Sequence, residues 1–467
     1  MSVFTQAGGG ATQLDDSYDR SNSLRFNDDD SPNLTERPAS GNRKTFTFST
    51  WFKRSNLKSS CEMFLLGGSS DGATDHTEFK LQNDQLTFII FDGSSNTSYI
   101  RTTAKLRDVS AWYHVVFRID LTQATNTDRI RLYINGVLQT SLDQTTYDAQ
   151  NNDSFMSLNN GYHRIGADAR SAANFFDGYM AETYYIDGQS YDPTYFGKFD
   201  DNNVWIPVEP GTGDGGSITY GTNGFLLEYK QTGTSANSSG IGADTSGQDN
   251  HFAVTNLAAT DVTEDTCTNN FMTLNSVLAD GQFNTSELSE GNTFYNEGQG
   301  NNGDGQPTGT FAFNSGKWYW EVQVPSQQNS RAIGFCRMDR VSIDQPPQLH
   351  GNGFTATNSV VGIDLTDDTI DQVDNAGSHT QHASGLTGMS DNDIFGVAVN
   401  LDDGNFQFYR NGSTYGSSYS LSNLSEWQEH GAVPCASGKT YQAYRFNFGN
   451  PAFSISSGNT DGKYGNF

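Results

Sequence analysis

The sequence predicts an all-β protein built from two β-sandwich domains in tandem, and three observations lead to this fold class. The chain has 467 residues, which is enough for two or three domains with cores of their own. Aromatic residues make up 12 % of it, which is inconsistent with disorder, while abundant Gly, Asn, Ser and Thr indicate many turns. Alternating strand-like segments recur along the chain, and no long segment has helical periodicity.

Residues 1–41 are predicted to form a polar N-terminal arm. Three consecutive aspartates at 28–30 and the prolines Pro32 and Pro38 leave room for one short strand at 23–26. A segment of this kind is typical of an arm that is mobile or is ordered by a partner. We therefore expect it to be a docking segment.

Residues 42–256 are predicted to form the first β domain. Residues 45–52, Thr-Phe-Thr-Phe-Ser-Thr-Trp-Phe, alternate and place Phe46 and Phe48 on one face. A long strand at 112–120 and a shorter one at 129–136 predict a hairpin that ends in Asn-Gly, a pair that tolerates the positive φ of a tight turn. Further strands are predicted at 63–66, 78–81, 85–91, 98–101, 162–166 and 176–187.

The order of these motifs resembles a laminin-G-like domain of the concanavalin A-like jelly-roll superfamily. The motifs are Phe-Thr-Phe-Ser-Thr-Trp-Phe, Trp112-Tyr-His-Val-Val, Leu132-Tyr-Ile-Asn-Gly and Phe176-Asp-Gly-Tyr-Met-Ala-Glu. Asp244-Thr-Ser-Gly-Gln-Asp-Asn-His also resembles a turn of this family, but it comes after the other strands and so predicts a permuted closing segment. The resemblance implies a jelly roll and leaves Ca²⁺ as a candidate ligand at a loop end, with no ligand residue named.

A connector is predicted over 257–310 and a second β domain over 311–467, with a start near 270 as the alternative. Its central feature is residues 394–412. An apolar strand at 394–401 is followed by Asp403-Gly404, for which a type I′ turn is predicted. Phe406 and Phe408 then alternate with polar residues before a second tight turn at Asn411-Gly412.

This second region resembles a SPRY domain, which is also a concanavalin A-like sandwich. The motifs in order are Ser-Gly-Lys-Trp318-Tyr-Trp320-Glu-Val, Ile-Gly-Phe335, Asp-Ile-Phe-Gly-Val-Ala-Val-Asn-Leu-Asp-Asp-Gly404 and Phe-Tyr-Arg-Asn-Gly412. Residues 336–359 and 366–390 contain no motif that aligns, so the ligand contacts of the family cannot be transferred. We expect recognition to involve these two segments and residues 413–430, all interpreted as loops.

Charge and cysteine content exclude several classes of function. The net charge of −27 and the pI near 4.4 argue against nucleic-acid binding, because the phosphates would be repelled. No apolar run is long enough to span a membrane, and the N-terminus has no Sec-type signal. Four widely spaced cysteines predict neither a thiolate zinc site nor a disulfide framework, and favour synthesis in a reducing compartment.

No catalytic constellation is evident in the sequence, and the chain is predicted not to be an enzyme. His114 lies in an alternating strand and is interpreted as structural, and His251 as a residue beside a turn. His379 and His382 stand near Asp371 and Asp374, where a metal cluster is conceivable but polar loop residues are the favoured interpretation. Glu182 and Asp187 are out of phase on their strand, which argues against a carboxylate pair for glycoside hydrolysis.

The resulting hypothesis is a non-enzymatic recognition protein. Three aromatic residues are candidates for stacking on sugars, although packing under loops is the favoured interpretation: Tyr415, Tyr419 and Trp427. The pairing of domains resembles virion proteins of tailed bacteriophages, such as tail fibres, knobs or surface decorations. This implies assembly in the host cytoplasm, other virion proteins and a host-surface glycan or receptor as partners, and a candidate homotrimer. The alternatives are a cellular glycan-binding adhesin and, third, a polysaccharide depolymerase.

Overall fold

The computed structural model describes residues 18, 20–57, 62–72, 74–277, 288–296, 307–326, 330–341, 359–438 and 443–449. These residues form two compact units, which divide between Asn270 and Phe271. Each unit contains two large antiparallel sheets with a hydrophobic core, as the sequence predicted. No helix among the described residues is long and apolar enough to cross a membrane.

In its described residues the first domain has eighteen strands and one helical turn, α1 (Asn126–Arg129). The strands are β1 (Ser23–Phe26), β2 (Asn33–Glu36), β3 (Thr45–Arg54), β4 (Glu62–Ser69), β5 (His76–Gln82), β6 (Gln85–Phe91), β7 (Asn96–Lys105), β8 (Trp112–Asp120), β9 (Ile130–Ile134), β10 (Val137–Leu138), β11 (Leu142–Thr146), β12 (Tyr162–Ile165), β13 (Gly178–Asp187), β14 (Gly197–Phe199), β15 (Trp205–Pro207), β16 (Phe225–Leu227), β17 (Ala253–Thr255) and β18 (Val262–Thr263). One sheet has the order β10-β9-β8-β3-β13-β1-β18, with β16 also paired to β13, and the other has the order β11-β7-β6-β5-β4-β12-β2-β17. Strands β14 and β15 form a separate hairpin.

The core of this domain follows from the alternation in its strands. Phe46 and Phe48 point inward from β3 and are fully buried, as predicted. Phe79 of the opposite sheet meets Phe48 and Phe117 at ring-centroid distances of 5.0 Å each. Because a buried phenylalanine contributes about 1.5–3 kcal/mol through removal from water, this aromatic layer holds the two sheets together.

The N-terminal residues are part of the sandwich. Strand β1 pairs with both β13 and β18, and β2 pairs with both β12 and β17. Leu24, Phe26 and Leu34 are fully buried in the core. The prediction of an arm is therefore wrong for residues 20–41, because the run Asp28–Asp30 is only a 3₁₀ turn between two core strands. Residues 1–17 and 19 of the predicted arm lie outside the described residues.

The predicted connector is divided between the two domains. Strand β18 lies beyond the predicted end of the first domain at residue 256 and pairs with β1, so residues 257–270 complete the first sandwich. Met272 and Leu274, in contrast, belong to the core of the second domain. The glycine-rich segment at 298–305 lies outside the described residues.

The second domain has twelve strands in the described residues, together with the helix α2 (Leu424–His430). The strands are β19 (Leu288–Ser289), β20 (Phe294–Asn296), β21 (Lys317–Val324), β22 (Ser330–Arg337), β23 (Val360–Asp364), β24 (Thr369–Val373), β25 (His379–Ala383), β26 (Asp393–Asn400), β27 (Asn405–Arg410), β28 (Ser413–Ser420), β29 (Ala432–Gly438) and β30 (Ala443–Asn447). One sheet has the order β19-β20-β30-β21-β26-β27-β28 and the other has the order β25-β24-β23-β22-β29.

The three-stranded meander predicted over 394–412 is present as β26, β27 and β28, but one turn differs. Asn411 and Gly412 have φ values of 48° and 78°, as a type I′ turn requires. At the other turn only Gly404 has a positive φ, 71°, so the type I′ prediction for Asp403-Gly404 is wrong. The reason is Asn400, whose Oδ1 accepts hydrogen bonds from the backbone N–H groups of Asp402 and Asp403, each at 3.0 Å.

The unaligned segments are also more regular than predicted. Residues 366–390 contain the hairpin β24–β25, and residues 413–430 consist largely of β28 and α2. The interpretation of both as loops is wrong, because polar sequences with few branched residues here form the edge strands of the two sheets. Residues 342–358 of the third segment lie outside the described residues.

Candidate recognition surface

The three aromatic residues considered as sugar contacts lie against the core of the second domain. Tyr415 and Trp427 are 7 % and 2 % exposed, and Tyr419 is half-buried. Tyr415 Oη donates to the carbonyl of Thr387 at 2.9 Å, and Trp427 Nε1 donates to the carbonyl of Ser422 at 3.1 Å. The suggestion of exposed stacking rings is therefore wrong for Tyr415 and Trp427, whose positions on β28 and α2 point inward. Burial also raises the pKa of Tyr415 to about 12.

Tyr415 and Tyr419 instead lie beneath a surface formed by the edges of the two sheets of the second domain. The rings of His382 on β25 and Tyr419 on β28 lie 4.8 Å apart. The bond from Tyr415 to Thr387 ties the segment after β25 to β28. The segments around His382 and around Tyr419, which are distant in the sequence, are thus neighbours in the fold.

We call this surface the uncharged face and define it as residues 375–390 and 411–425. It contains no Lys, Arg, Asp or Glu in 31 residues, whereas a chain with 17 % charged residues would place about five there. Ser, Thr, Gly, Asn and Gln dominate both segments, and most of their side chains are exposed. Both segments are thus uncharged in a protein whose net charge is −27.

His379 and His382, considered as metal ligands in the sequence, lie on strand β25. His379 Nε2 is 2.8 Å from Asp371 Oδ1, and His382 Nε2 is 3.1 Å from Gln372 Oε1. Asp374 instead accepts hydrogen bonds from the backbone N–H groups of Ala376 and Ser378 at 2.9 and 2.8 Å. Burial lowers the pKa of His382. Within the described ranges, no three His, Cys, Asp or Glu side chains are grouped as metal binding requires, so no Ca²⁺ site can be assigned there.

The outer face of the first sheet in the first domain is covered by other parts of the same chain. Val116, Tyr184 and Ile186 on this face pack against Phe196, and Trp51 and Trp112 pack with Trp205 and Cys267 in a second cluster. Residues 188–222 and 264–270 supply these covering side chains. This face is therefore a second hydrophobic layer rather than an open groove.

His114 lies beneath that layer and is structural, as predicted. Trp205 Nε1 donates to His114 Nδ1 at 3.0 Å, so the ring carries its proton on Nε2, which lies 2.9 Å from Ser49 Oγ. Burial lowers the pKa of His114 to about 3, which keeps the ring neutral. At the turn after β16, His251 Nδ1 similarly accepts the backbone N–H of Asp244 at 2.9 Å.

Two buried charged pairs occupy the same face. Lys53 Nζ is 2.6 Å from Asp265 Oδ2, and Trp112 Nε1 donates to Asp265 Oδ1 at 3.1 Å. Glu182 forms an ion pair with Arg20 and accepts a hydrogen bond from Tyr184 Oη at 2.7 Å. These contacts tie covering segments to the sheet.

The environment of Glu182 is unusual in a way that the sequence did not indicate. It has a φ of 44° at an irregularity in the pairing of β13 with β3, and burial raises its pKa to about 7. Asp187, the other acid on this strand, accepts the backbone N–H groups of Asn42 and Asn223 at 2.7 and 3.1 Å. The sequence suggested Glu182 only as one of two carboxylates on its strand, and it could not indicate the buried ion pair because the partner Arg20 comes from the N-terminal segment.

Three of the four cysteines are described, Cys267, Cys336 and Cys435, and the last two are buried free thiols. Burial and the neighbouring Cys435 raise the pKa of Cys336. Buried thiols of this kind behave as small apolar side chains.

Comparison with known proteins identifies both domains. Residues 26–189 match the family described as the concanavalin A-like lectin/glucanases superfamily, here its laminin-G type, and residues 317–451 match the SPRY domain. The two domain types and their order are thereby confirmed, and the chain carries a concanavalin A-like domain followed by a SPRY domain. No curated protein matches the chain.

Solved structures show similarity to single domains. The TRIM65 PSpry domain is 20 % identical with a TM-score of 0.28, and the match covers 38 % of this chain and 89 % of that one. The SPRY domain of human HERC1 is 11 % identical with a TM-score of 0.25, and the match covers 33 % of this chain and 87 % of that one. The heptameric SAP-like pentraxin from Limulus polyphemus is 16 % identical with a TM-score of 0.28, and the match covers 37 % of this chain and 78 % of that one.

Proposed function

We propose that this chain, in which a concanavalin A-like domain precedes a SPRY domain, is a non-enzymatic recognition protein on the surface of a bacteriophage virion. The observation that carries the recognition function is the tandem arrangement of two binding-type sandwiches. The ligand is a host-surface glycan or receptor, and the other partners are virion proteins.

The surroundings of the titratable groups support binding rather than catalysis. Glu182, His114 and Lys53 have the chemistry of catalytic residues, but each is buried and bonded to a partner that fixes a covering segment or a neighbouring strand. A general acid or base must reach a substrate, and these groups are buried beneath the chain itself. The uncharged face, by contrast, is exposed.

Composition supports the virion as the location. Loops rich in Asn, Gly, Ser and Thr, few cysteines and a strong negative charge suit a protein that folds in a reducing cytoplasm and then remains soluble on an exposed particle. The proposal includes a homotrimer, as is common among fibres.

Mass spectrometry of purified virions tests the location, and labelling with antibodies in electron microscopy places the chain on the particle. Absence from virions, together with detection on intact uninfected cells, would replace this proposal with that of a cellular adhesin. Incubation of the purified chain with host polysaccharide should release no reducing ends. Release of reducing ends would establish a depolymerase instead.

A further inference from the structure

We infer that the uncharged face of the SPRY domain is a binding site for a neutral oligosaccharide, contacted through hydroxyl and amide groups. The inference rests on the proposed recognition function and adds the position of the site and the class of its ligand. Four observations lead to it: the geometry of the face, a buried donor beneath it, its free hydroxyl groups and its lack of charge.

The face lies where the two sheets of the domain end side by side. Strand β25 is the last strand of the five-stranded sheet, and β28 is the last of the seven-stranded sheet. Tyr415 Oη and Arg410 Nη1 both donate to the carbonyl of Thr387, at 2.9 Å each, and hold the segment after β25 in place. A surface fixed in this way loses little conformational entropy when a ligand binds.

Gln372 supplies a polar group without a partner at this junction. Its side chain is in the interior, 1 % exposed, and its Oε1 is 3.1 Å from His382 Nε2, next to the His382–Tyr419 contact. Its Nε2 makes no hydrogen bond to any described residue. Buried amide donors almost always have an acceptor, so this one indicates a ligand or water oxygen at the junction of β25 and β28.

The exposed hydroxyl groups of the face are similarly free. Five lie on β28, are exposed, and have side-chain oxygens without a hydrogen bond to the described part of the chain: Ser413, Thr414, Ser417, Ser418 and Ser420. A Cβ added at Gly385, in the other segment of the face, would meet nothing within 4 Å, so the surface is open at this residue. Hydroxyl groups donate and accept, and therefore match the mixed donors and acceptors of a saccharide.

The lack of charge selects a neutral ligand. The two segments contain no Lys or Arg, and the two arginines that donate to them, Arg340 to Asn375 and Arg410 to Thr387, are already paired with Asp339 and Asp393. An acidic glycan would also approach a protein of net charge −27. An extended peptide is disfavoured as well, because the pairings of β24 with β25 and of β27 with β28 are both irregular. The backbone N–H of Ser417 is also occupied by Tyr419 Oη at 3.0 Å. Irregular edges of this kind oppose the addition of a further strand.

Calorimetry with the full-length chain tests this site against two panels of oligosaccharides. One panel contains neutral hexose and N-acetylhexosamine polymers, and the other contains uronate, sialylated and sulfated polymers. We expect binding to the neutral panel alone, with a Kd that is unchanged between about 50 and about 500 mM NaCl because no ion pairs form.

Two sets of variants locate the site. The double substitution Thr380→Glu/Ser418→Glu places charges on exposed strand positions, and we expect about tenfold weaker binding with an unchanged Tm. Thr145→Glu, on the exposed edge strand β11 of the first domain, is the matched control and should bind as the native chain does. Gln372→Leu should weaken binding through loss of the Nε2 donor, and it should lower Tm slightly because it also removes the oxygen that lies 3.1 Å from His382 Nε2.

Three outcomes would overturn the inference. The first is binding of acidic saccharides alone, with affinity that falls as salt rises. The second is native affinity in the double variant, which would leave the proposed recognition function intact but place its site elsewhere. The third is capture of a host protein with no saccharide bound, which would retain recognition and replace the ligand class. Absence of the chain from virions would affect only the proposed function.

Discussion

Replacing Asp265 by asparagine should destabilise the first domain in a way that depends on pH. Lys53 Nζ lies 2.6 Å from Asp265 Oδ2, and both side chains are 1 % exposed. Asparagine retains an acceptor for the indole N–H of Trp112 but removes the carboxylate that Lys53 contacts. Breaking a buried ion pair in this way costs about 3–5 kcal/mol, because the Lys53 charge then stays buried without the Asp265 carboxylate, while Nζ keeps its hydrogen bond to Asn270 Oδ1 at 3.0 Å.

The loss of stability depends on pH because Lys53 can release its proton in the folded variant. Burial lowers the pKa of Lys53, whose ordinary value is 10.5. Deprotonation from that value costs about 1.4 kcal/mol per pH unit, or about 5 kcal/mol at pH 7 and about 2 kcal/mol at pH 9. The loss of stability in Asp265→Asn should therefore be about 3–5 kcal/mol at pH 7 and no more than about 2 kcal/mol at pH 9. The stability of the variant should therefore rise with pH, because the unfolded variant binds more protons than the folded one between pH 7 and pH 9.

Urea unfolding followed by tryptophan fluorescence at pH 7, 8 and 9 measures this difference. The exposed Asp201→Asn is the matched control and should change the free energy of unfolding by less than about 0.5 kcal/mol. Adding Lys53→Met to Asp265→Asn should recover most of the loss, because no buried charge is left. A loss below about 1 kcal/mol at pH 7, or one equally large at pH 9, would refute the reasoning.

Three further predictions concern groups already described. Burial raises the pKa of Glu182 from 4.5 to about 7 despite its pairing with Arg20, so stability should fall as pH rises from about 4.5 to about 7. Glu182→Gln should flatten this slope in urea titrations, and an unchanged slope would contradict the assignment. Burial lowers the pKa of His114 from 6.5 to about 3, so stability should be lost as pH falls through that interval, and His114→Gln should reduce the loss. A His114→Gln chain with the acid sensitivity of the native protein would argue against the neutral ring. Trp427→Ala should cost about 3–5 kcal/mol by cavity formation while ligand binding persists below the lowered Tm, and selective loss of binding at full stability would restore Trp427 as a contact residue.

Sequence predicted those features that depend on neighbouring residues. The turn at Asn411-Gly412 and the inward direction of Phe46 and Phe48 follow from local backbone preferences and alternation, and both are present. The type I′ prediction at Asp403-Gly404 was wrong for an equally local reason, because the side chain of Asn400, three residues before Asp403, accepts the backbone N–H of Asp403 and fixes the conformation. Turn type is thus predictable only when flanking side chains do not compete for the same backbone groups.

The candidate site could be predicted only in part. The two charge-free segments are visible in the sequence, but their proximity depends on the pairing of strands and on the contact of His382 with Tyr419. The inward direction of Tyr415 depends on its register against Phe408, next to an irregularity that alternation cannot locate. Gln372 had no distinguishing feature in the sequence, because an unpaired buried amide is recognised only when its surroundings are known.

The pairing of β1 with β18 and of β2 with β17 has a consequence for how the first domain is made. Strands β1 and β2 leave the ribosome long before their partners in the closing segment, residues 262–263 and 253–255. Strands β1 and β2 can pair with β13 and β12 earlier, but their other edges, at Leu24 and Leu34, stay open until the closing segment has been synthesised. Such distant pairings make folding slow, and interruption of translation within this interval would release a chain prone to aggregation.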